Sequence, residues 1–576
     1  MEIFLLSQDK PGQTGAFTIP SLPETNHDHI VRSFGGFRLF LSGKSCSLPV
    51  NYYEKDGFFT GAIGTFTYGG CSYSDSLKKI HTEYLDGSFD HNRLFGHYYI
   101  IIWNGSLLTV LTDGSGILKA YHTTDFSYFS NSFTALAGLI KPRLTLNKDV
   151  LLENLLTGSV TGNETVIDEI REISAVTSVR SGNIQFVYPA PPESRSFSGE
   201  ASARRYQLEL ISNYFDMFRN MADEFGTDVG LTGGLDSRLI LGFTLEKFRK
   251  YQVHSHYRHT ANIDLTIAGE ITAMLGKDLV SPPVFKWEDL SPEEKISQFE
   301  RSYIFSDGQI RRHNFWDEGY NTFPYIEAVQ NHNMLNFSGI GGEQYRNGSG
   351  SQRVSVPLSK WLKDSYIRPY LGPGGTDSRT FKALTERMEH KINSLLNNGL
   401  PGRRLSLPDI KRIENEVLIP AYRGIRPNSV NRIKFSLSPF ADFRLSREAY
   451  SIIPYLRKSL NFETAMLQEL SPALARIRSA YGFPLNRKET VRSRVLRVGA
   501  RTLIPAGMIT LLKHRTGRFK SILKKRVAPD PDLRIIMDTF NSLELPADTA
   551  ALLRNPQIAR NIYALGFMVA KMQDRI

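Results

Sequence analysis

Asp228–Leu241 reads DVGLTGGLDSRLIL. Val229–Leu231 is a short apolar strand, Thr232–Ser237 (TGGLDS) is a turn, and a helix begins at about Ser237. The two glycines, Gly233 and Gly234, let the backbone turn tightly and bring its N–H groups close to a ligand. The helix amino terminus adds unsatisfied donors and a positive dipole, and the hydroxyls of Thr232 and Ser237 add further bonds. Together these make an oxyanion cradle. Asp236 would repel a bare phosphate, but it fits if a divalent cation lies between them. The stretch is neither G-x-x-x-x-G-K-[ST] nor G-x-G-x-x-G. A plain strand-to-helix turn with an Asp/Ser cap would use the same residue types, so the motif alone leaves both alternatives standing.

On either side the periodicity predicts an α/β unit. Leu208, Ile211, Phe215 and Phe218 are spaced for one helix face. Val253–Tyr257 reads as a second strand. Asp264–Leu275 reads as a helix with Ile267, Ile271, Met274 and Leu275 on one side and Gly276 ending it, and Asp278–Val280 as a third strand. Strands alternating with helices imply crossover units and a parallel sheet, which binds ligands at the carboxyl ends of its strands. The remainder, to Ile576, is helix-rich without a second obvious sheet. Upstream, Tyr188–Gly199 (YPAPPESRSFSG) is a polar, Pro-rich break. The region before it reads as mainly β, with Tyr99–Trp103, Asn104–Gly105 and Ser106–Leu111 forming the clearest hairpin signal, in which both turn residues need positive φ.

At 576 residues the chain exceeds one ordinary domain, and 41% hydrophobic with 22% charged residues excludes both disorder and a polytopic membrane protein. Two cysteines, Cys46 and Cys71, cannot build a disulfide framework or a four-ligand zinc site. MEIFLLSQDK lacks a basic n-region, and no apolar run reaches the roughly 20 residues of a spanning helix, so the cytoplasm is the expected compartment. The net charge of +12 concentrates late: Val491–Val527 holds eleven Lys/Arg and no Asp or Glu. That segment is either a solvated helical face or a surface drawn to an anionic membrane or substrate. The second option would place the protein peripherally at the inner membrane face. Leu503–Leu512 has interfacial length, although Pro505 and Gly507 oppose one smooth helix.

TGGLDS resembles the SGGxDS pyrophosphate loop of the PP-loop ATP pyrophosphatases, in particular the asparagine-synthetase family. Other segments resemble that family in its order. Asn336–Gly348 (NFSGIGGEQYRNG) is similar to its SGxGxDE segment, Ser438–Asp442 (SPFAD) to PFLD, and Arg476–Pro484 (RIRSAYGFP) to R-P-K-x-G-F. Leu85–Tyr121 is similar to the end of the family's glutaminase domain. The resemblance implies a degenerate glutaminase-like, β-rich (αββα) domain over 1–187, a linker at 188–200, and a synthetase domain over 201–576 whose parallel sheet is flanked by helices. It implies ATP and Mg²⁺: a substrate carboxylate attacks the α-phosphorus, pyrophosphate leaves, and an amine displaces AMP from the acyl-adenylate. Carried over by position, Leu231, Thr232, Gly233, Gly234, Asp236, Ser237, Gly339, Gly341 and Gly342 hold the nucleotide, and Asp236 and Glu343 hold magnesium.

Departures narrow the substrate class. Glutamine-hydrolysing members need a cysteine directly after the initiating methionine, and this chain has Glu2, so the amine is expected from the substrate or from ammonia. That pattern resembles the β-lactam synthetases and the lasso-peptide cyclases, which close a ring with the substrate's own amine; the lasso-peptide reading implies macrolactam closure and a protease or other biosynthetic partner. Arg238 after Ser237 is equally compatible with relatives that amidate surface-polysaccharide or small-molecule carboxylates. Ile340 cannot take a proton, and the family's acyl-transfer lysine aligns with Ala480, so Arg476 or Arg478 is left to substitute electrostatically, with Arg478 the candidate catalytic residue. His254 and His256 share a strand face but lack the further ligands of a metal site. A tRNA-modifying PP-loop enzyme ranks low because no cysteine follows Cys71, so nucleic acid is not an expected partner. A binding-only relic is the remaining alternative.

Overall fold

A computed structural model describes residues 1–8, 29–44, 49–140, 144–173, 180–181, 184–255, 262–281, 287–309, 334–347, 355–367, 378–396, 404–456, 460–486, 530–553 and 556–574. The basic segment 491–527, Cys46, His256 and Gly348 lie outside them. The fold is mixed α/β, with two largely antiparallel sheets and one parallel sheet.

The amino-terminal half packs two six-stranded sheets face to face. One has the order Ile170–Glu172, Tyr121–Thr123, Tyr128–Ser130, Ile3–Gln8, Phe37–Ser42, His29–Phe34. The other runs Arg180–Ser181, Ile184–Val187, Leu108–Thr112, Leu94–Trp103, Phe58–Tyr68, Tyr52–Lys55. Alternate apolar side chains from both (Phe4, Leu39, Phe59, Ile63, Ile101, Val110) fill the layer between them. Helix Tyr73–Leu85 covers the outer face of the second sheet, with Leu77 and Ile80 against Phe66 and Ile100. Helix Phe133–Ile140 covers that of the first through Phe133 and Leu136.

The predicted hairpin forms, with Trp103 opposite Leu108, but not as a two-residue turn. Only Gly105 takes a left-handed φ, of +89°. The Asn104 side chain instead accepts from the Ser106 and Leu107 amides, which widens the connection to four residues.

In the second half, α1 (Glu200–Met217) precedes a parallel sheet of β1 (Thr227–Gly230), β2 (Tyr251–His254), β3 (Leu279–Val280), β4 (Leu335–Phe337) and β5 (Ser436–Leu437). Their spatial order is β3-β2-β1-β4-β5. Val229 of β1 pairs with Val253 on one side and Phe337 on the other, so the glycine turn leaves a strand flanked on both edges. Strand order reverses between β1 and β4, and the crevice beyond their carboxyl ends is the topological switch point. Helices α2 (Leu235–Lys247) and α3 (Ile263–Met274) follow β1 and β2. Leu239, Phe243, Ile267 and Ile271 meet Phe215 and Phe337 in one core. Met274, in the last turn of α3, stays 45% exposed instead of joining Ile267 and Ile271, and Gly276 ends the helix at φ +62°.

One buried charge cluster crosses this sheet. Asp228 on β1 accepts from His254 on β2 (2.7 Å), Asn336 on β4 (3.1 Å) and Lys434 just before β5 (3.1 Å). Burial pushes its carboxyl up, but His254 and Lys434 outweigh that and hold it far below the usual carboxylate range. The carboxyl-terminal helix Pro556–Met572 returns to the amino-terminal half, where the Asn561 side chain donates to Leu155 O at 2.9 Å.

Candidate functional site

Leu231 is buried, and its amide bonds His254 O at 2.8 Å, fixing the strand end from which the turn leaves. Within the turn the donors are satisfied locally. Thr232 N–H donates to Ser237 Oγ (3.1 Å), Gly234 N–H to Thr232 Oγ1 (3.2 Å), and the two hydroxyls lie 3.0 Å apart. Gly233 N–H donates to Asp264 Oδ1 at 2.8 Å, from the first turn of α3. A Cβ on Gly233 would lie 2.8 Å from Ile267 and 3.1 Å from both Ala480 and Asp264, so only glycine lets these elements close on the turn.

The second glycine segment packs against the first turn of α2. A Cβ on Gly339 would come within 3.0 Å of the backbone at Asp236 and Ser237, and one on Gly342 within 2.1 Å of Asp236 Oδ1. Gly341, at φ +97°, abuts the Phe440 backbone of the SPFAD segment, and Gln344 Nε2 donates to Phe440 O at 2.8 Å. Ile340 packs on Ile117, Ile419 and Ala441. The segments at 232–237, 336–347 and 438–442 therefore meet at the switch point.

Charge is concentrated there. Arg346 donates to Asp236 Oδ1 (2.6 Å) and Oδ2 (3.0 Å) and to Glu463 Oε2 (2.7 Å) on α4 (Asn461–Leu470). It also lies 3.8 Å from Glu343 Oε1, which Arg423 pairs from the other side. Burial pushes the Asp236 carboxyl up, but Arg346 and the Glu463 hydrogen bond hold it below the ordinary value. Burial raises Glu463 well above the ordinary carboxylate value, with Arg346 opposing and the neighbouring Asp236 adding to the rise. Burial likewise pushes the Tyr481 hydroxyl up to about 12. Sequence reasoning missed Arg346, Glu463, Arg423 and Asp264. Only Arg346 left a signal, as a cation three residues beyond Glu343 in a glycine-rich segment.

Arg238 is fully buried and donates to Leu474 O and Ile477 O at 2.9 Å each, and to Arg478 O. A guanidinium on the carbonyls ending helix Pro472–Arg476 is a favourable match to the helix dipole. It draws the RIRSAYGFP segment against α2 and sets Ala480 N–H on Gly233 O at 3.0 Å. Ala480 is therefore in contact with the turn. The Arg478 side chain is 50% exposed and pairs with Glu270 of α3 through Nε at 3.0 Å. It is not among the charges grouped on Asp236.

At the amino terminus, Glu2 is fully buried. Its Oε2 accepts from Lys44 Nζ and from Gly64 N–H, both at 2.7 Å, and Lys44 also reaches Asn431 O. Glu2 is thus locked in an ion pair within the amino-terminal half, and its own amide, bonded to Arg432 O at 2.7 Å, ties it to the second half. Cys71 is a free thiol, and His254 is taken up by Asp228.

Among the described residues no group of three or more His, Cys, Asp or Glu side chains is placed to hold a metal ion by itself. Magnesium usually binds one or two carboxylates and completes its shell with phosphate oxygens and water. Asp236 and Glu343 fit that role, since both lie within reach of the Arg346 guanidinium and Glu343 Oε2 is buried without a hydrogen-bond partner among the described residues. No described helix is long and apolar enough to cross a membrane. No family model and no curated protein matches the chain.

Proposed function

We propose that this chain is an ATP-dependent, AMP-forming amide ligase of the asparagine-synthetase kind, with a degenerate glutaminase-like αββα unit over 1–187 and the synthetase over 201–576. The observation that carries the proposal is the placement of TGGLDS. It leaves the central strand of a parallel sheet at the switch point, where Asp236 and Glu343 both lie against Arg346 and three other motif-like segments gather.

In this scheme Gly233, Gly234 and the amino terminus of α2 receive the pyrophosphate, with Thr232 and Ser237 supplying hydroxyls. Magnesium held by Asp236 and Glu343 would neutralise phosphate charge. Arg238 fixes the segment that closes over the turn. A substrate carboxylate attacks the α-phosphorus and expels pyrophosphate, and an amine then attacks the acyl carbon and expels AMP. The buried Glu2–Lys44 pair favours an amine that comes from the substrate, as in macrolactam closure, over one released from glutamine.

The test is calorimetric binding of ATP with Mg²⁺, followed by product analysis with carboxylate substrates that carry their own amine. AMP and pyrophosphate are expected, and Asp236→Ala should abolish their release. Formation of ADP and phosphate, or undiminished turnover by Asp236→Ala, would sink the proposal.

A further inference from the structure

Arg346 has three carboxylates around it and a backbone that cannot follow its side chain. Lys411, buried to 2% exposure, donates from Nζ to Glu343 O (2.9 Å) and Arg346 O (3.1 Å), pinning both ends of the turn that carries Arg346. Among the described residues the guanidinium is held by carboxylates, Asp236 and Glu463 at hydrogen-bond distance and Glu343 at 3.8 Å. Glu463 is fully buried, and its Oε1 has no hydrogen-bond partner among the described residues, so one acceptor of the cluster is left over. A planar guanidinium that grips a carboxylate with two N–H groups presents the same fork to a phosphate. Asp236 lies in the first turn of α2, two residues after Gly234, so Arg346 sits beside the place where anionic charge would arrive.

We propose that Arg346 is a phosphate-binding residue of this site: its guanidinium, paired with Asp236 and Glu463, moves to the phosphate oxygens of a nucleotide when one binds the turn. This rests on the ATP-binding role proposed above and adds a residue to it. The exchange leaves Asp236 able to hold magnesium. The turn backbone stays where Lys411 fixes it, so the change is confined to one side chain.

The test titrates wild type, Arg346→Met and Arg346→Lys with ATP, inorganic pyrophosphate and adenosine by calorimetry, with thermal melting to verify the fold. Arg346→Met should weaken ATP and pyrophosphate by about tenfold to a hundredfold and leave adenosine unchanged. Arg346→Lys keeps the charge on Asp236, and therefore the fold, but loses the fork; it should weaken ATP by a smaller factor. ATP affinity equal to wild type in folded Arg346→Lys, or equal loss of ATP and adenosine in Arg346→Met, overturns the role of Arg346. A wild-type protein that binds neither ATP nor pyrophosphate overturns the proposed function itself.

Discussion

Replacing Arg238 with Met tests whether the turn is held from behind. The guanidinium serves three carbonyls, Leu474 O, Ile477 O and Arg478 O, with no carboxylate within ion-pairing distance among the described residues. Hydrogen bonds to a charged group contribute about 1.5–3 kcal/mol each, which sets a ceiling of several kcal/mol for the set. Burial opposes this, pushing the group's pKa down to about 10, a cost of about 3 kcal/mol. Methionine would fill much of the volume but leave the buried Leu474 carbonyl and the partly buried bonds to Ile477 O and Arg478 O without their donor, so we expect a net loss of about 3 kcal/mol in urea unfolding. Arg238→Lys, which keeps the charge but not the fork, should lose about half as much. Because Arg238 positions the segment that puts Ala480 N–H on Gly233 O, hydrogen exchange at the Ala480 amide should accelerate in the same variants. An unchanged unfolding midpoint together with unchanged Ala480 protection would refute the reasoning.

Glu2→Gln leaves Lys44 buried without its counter-ion and should cost about 3–5 kcal/mol, whereas Glu2→Gln with Lys44→Met should recover most of it. A double-mutant cycle in urea measures the coupling, and additivity of the two single variants would exclude it. Asp228 is ionised far below the ordinary carboxylate range when folded. Its contribution is therefore present above the unfolded value near about 4 and is lost as pH falls through that value toward the folded one. Melting temperature should drop below about pH 4 in wild type, with a shallower slope in Asp228→Asn.

The apolar period of α1 and α3, the short strands beside them and the glycine turn were legible because each is a local pattern with a mechanism. β4 and β5 were not. Leu335–Phe337 and Ser436–Leu437 are three and two residues long, too short to carry a period, and only pairing with β1 and with each other makes them strands. The charge cluster was partly legible. Asp236 and Glu343 stood out within motif-like segments, but Glu463 lies 117 positions from Arg346 on an ordinary helix, and nothing in its surroundings marks it. Arg478 was singled out for its nearness to Ala480, yet its side chain reaches across to Glu270, a direction sequence spacing does not encode. Asp264 looked like a residue of a helix start; that it turns to Gly233 depends on how α3 meets α2.

That last contact sets a threshold for occupancy of the turn. With Asp264 already on the Gly233 amide, a lone monovalent anion would only trade one oxygen for another and gain little by entering. Under the proposed function a guest would win only by engaging several donors together, so the turn would discriminate by valency as well as by charge. Buffer acetate or chloride would compete poorly there, whereas a chain of linked phosphates would displace the carboxylate outright.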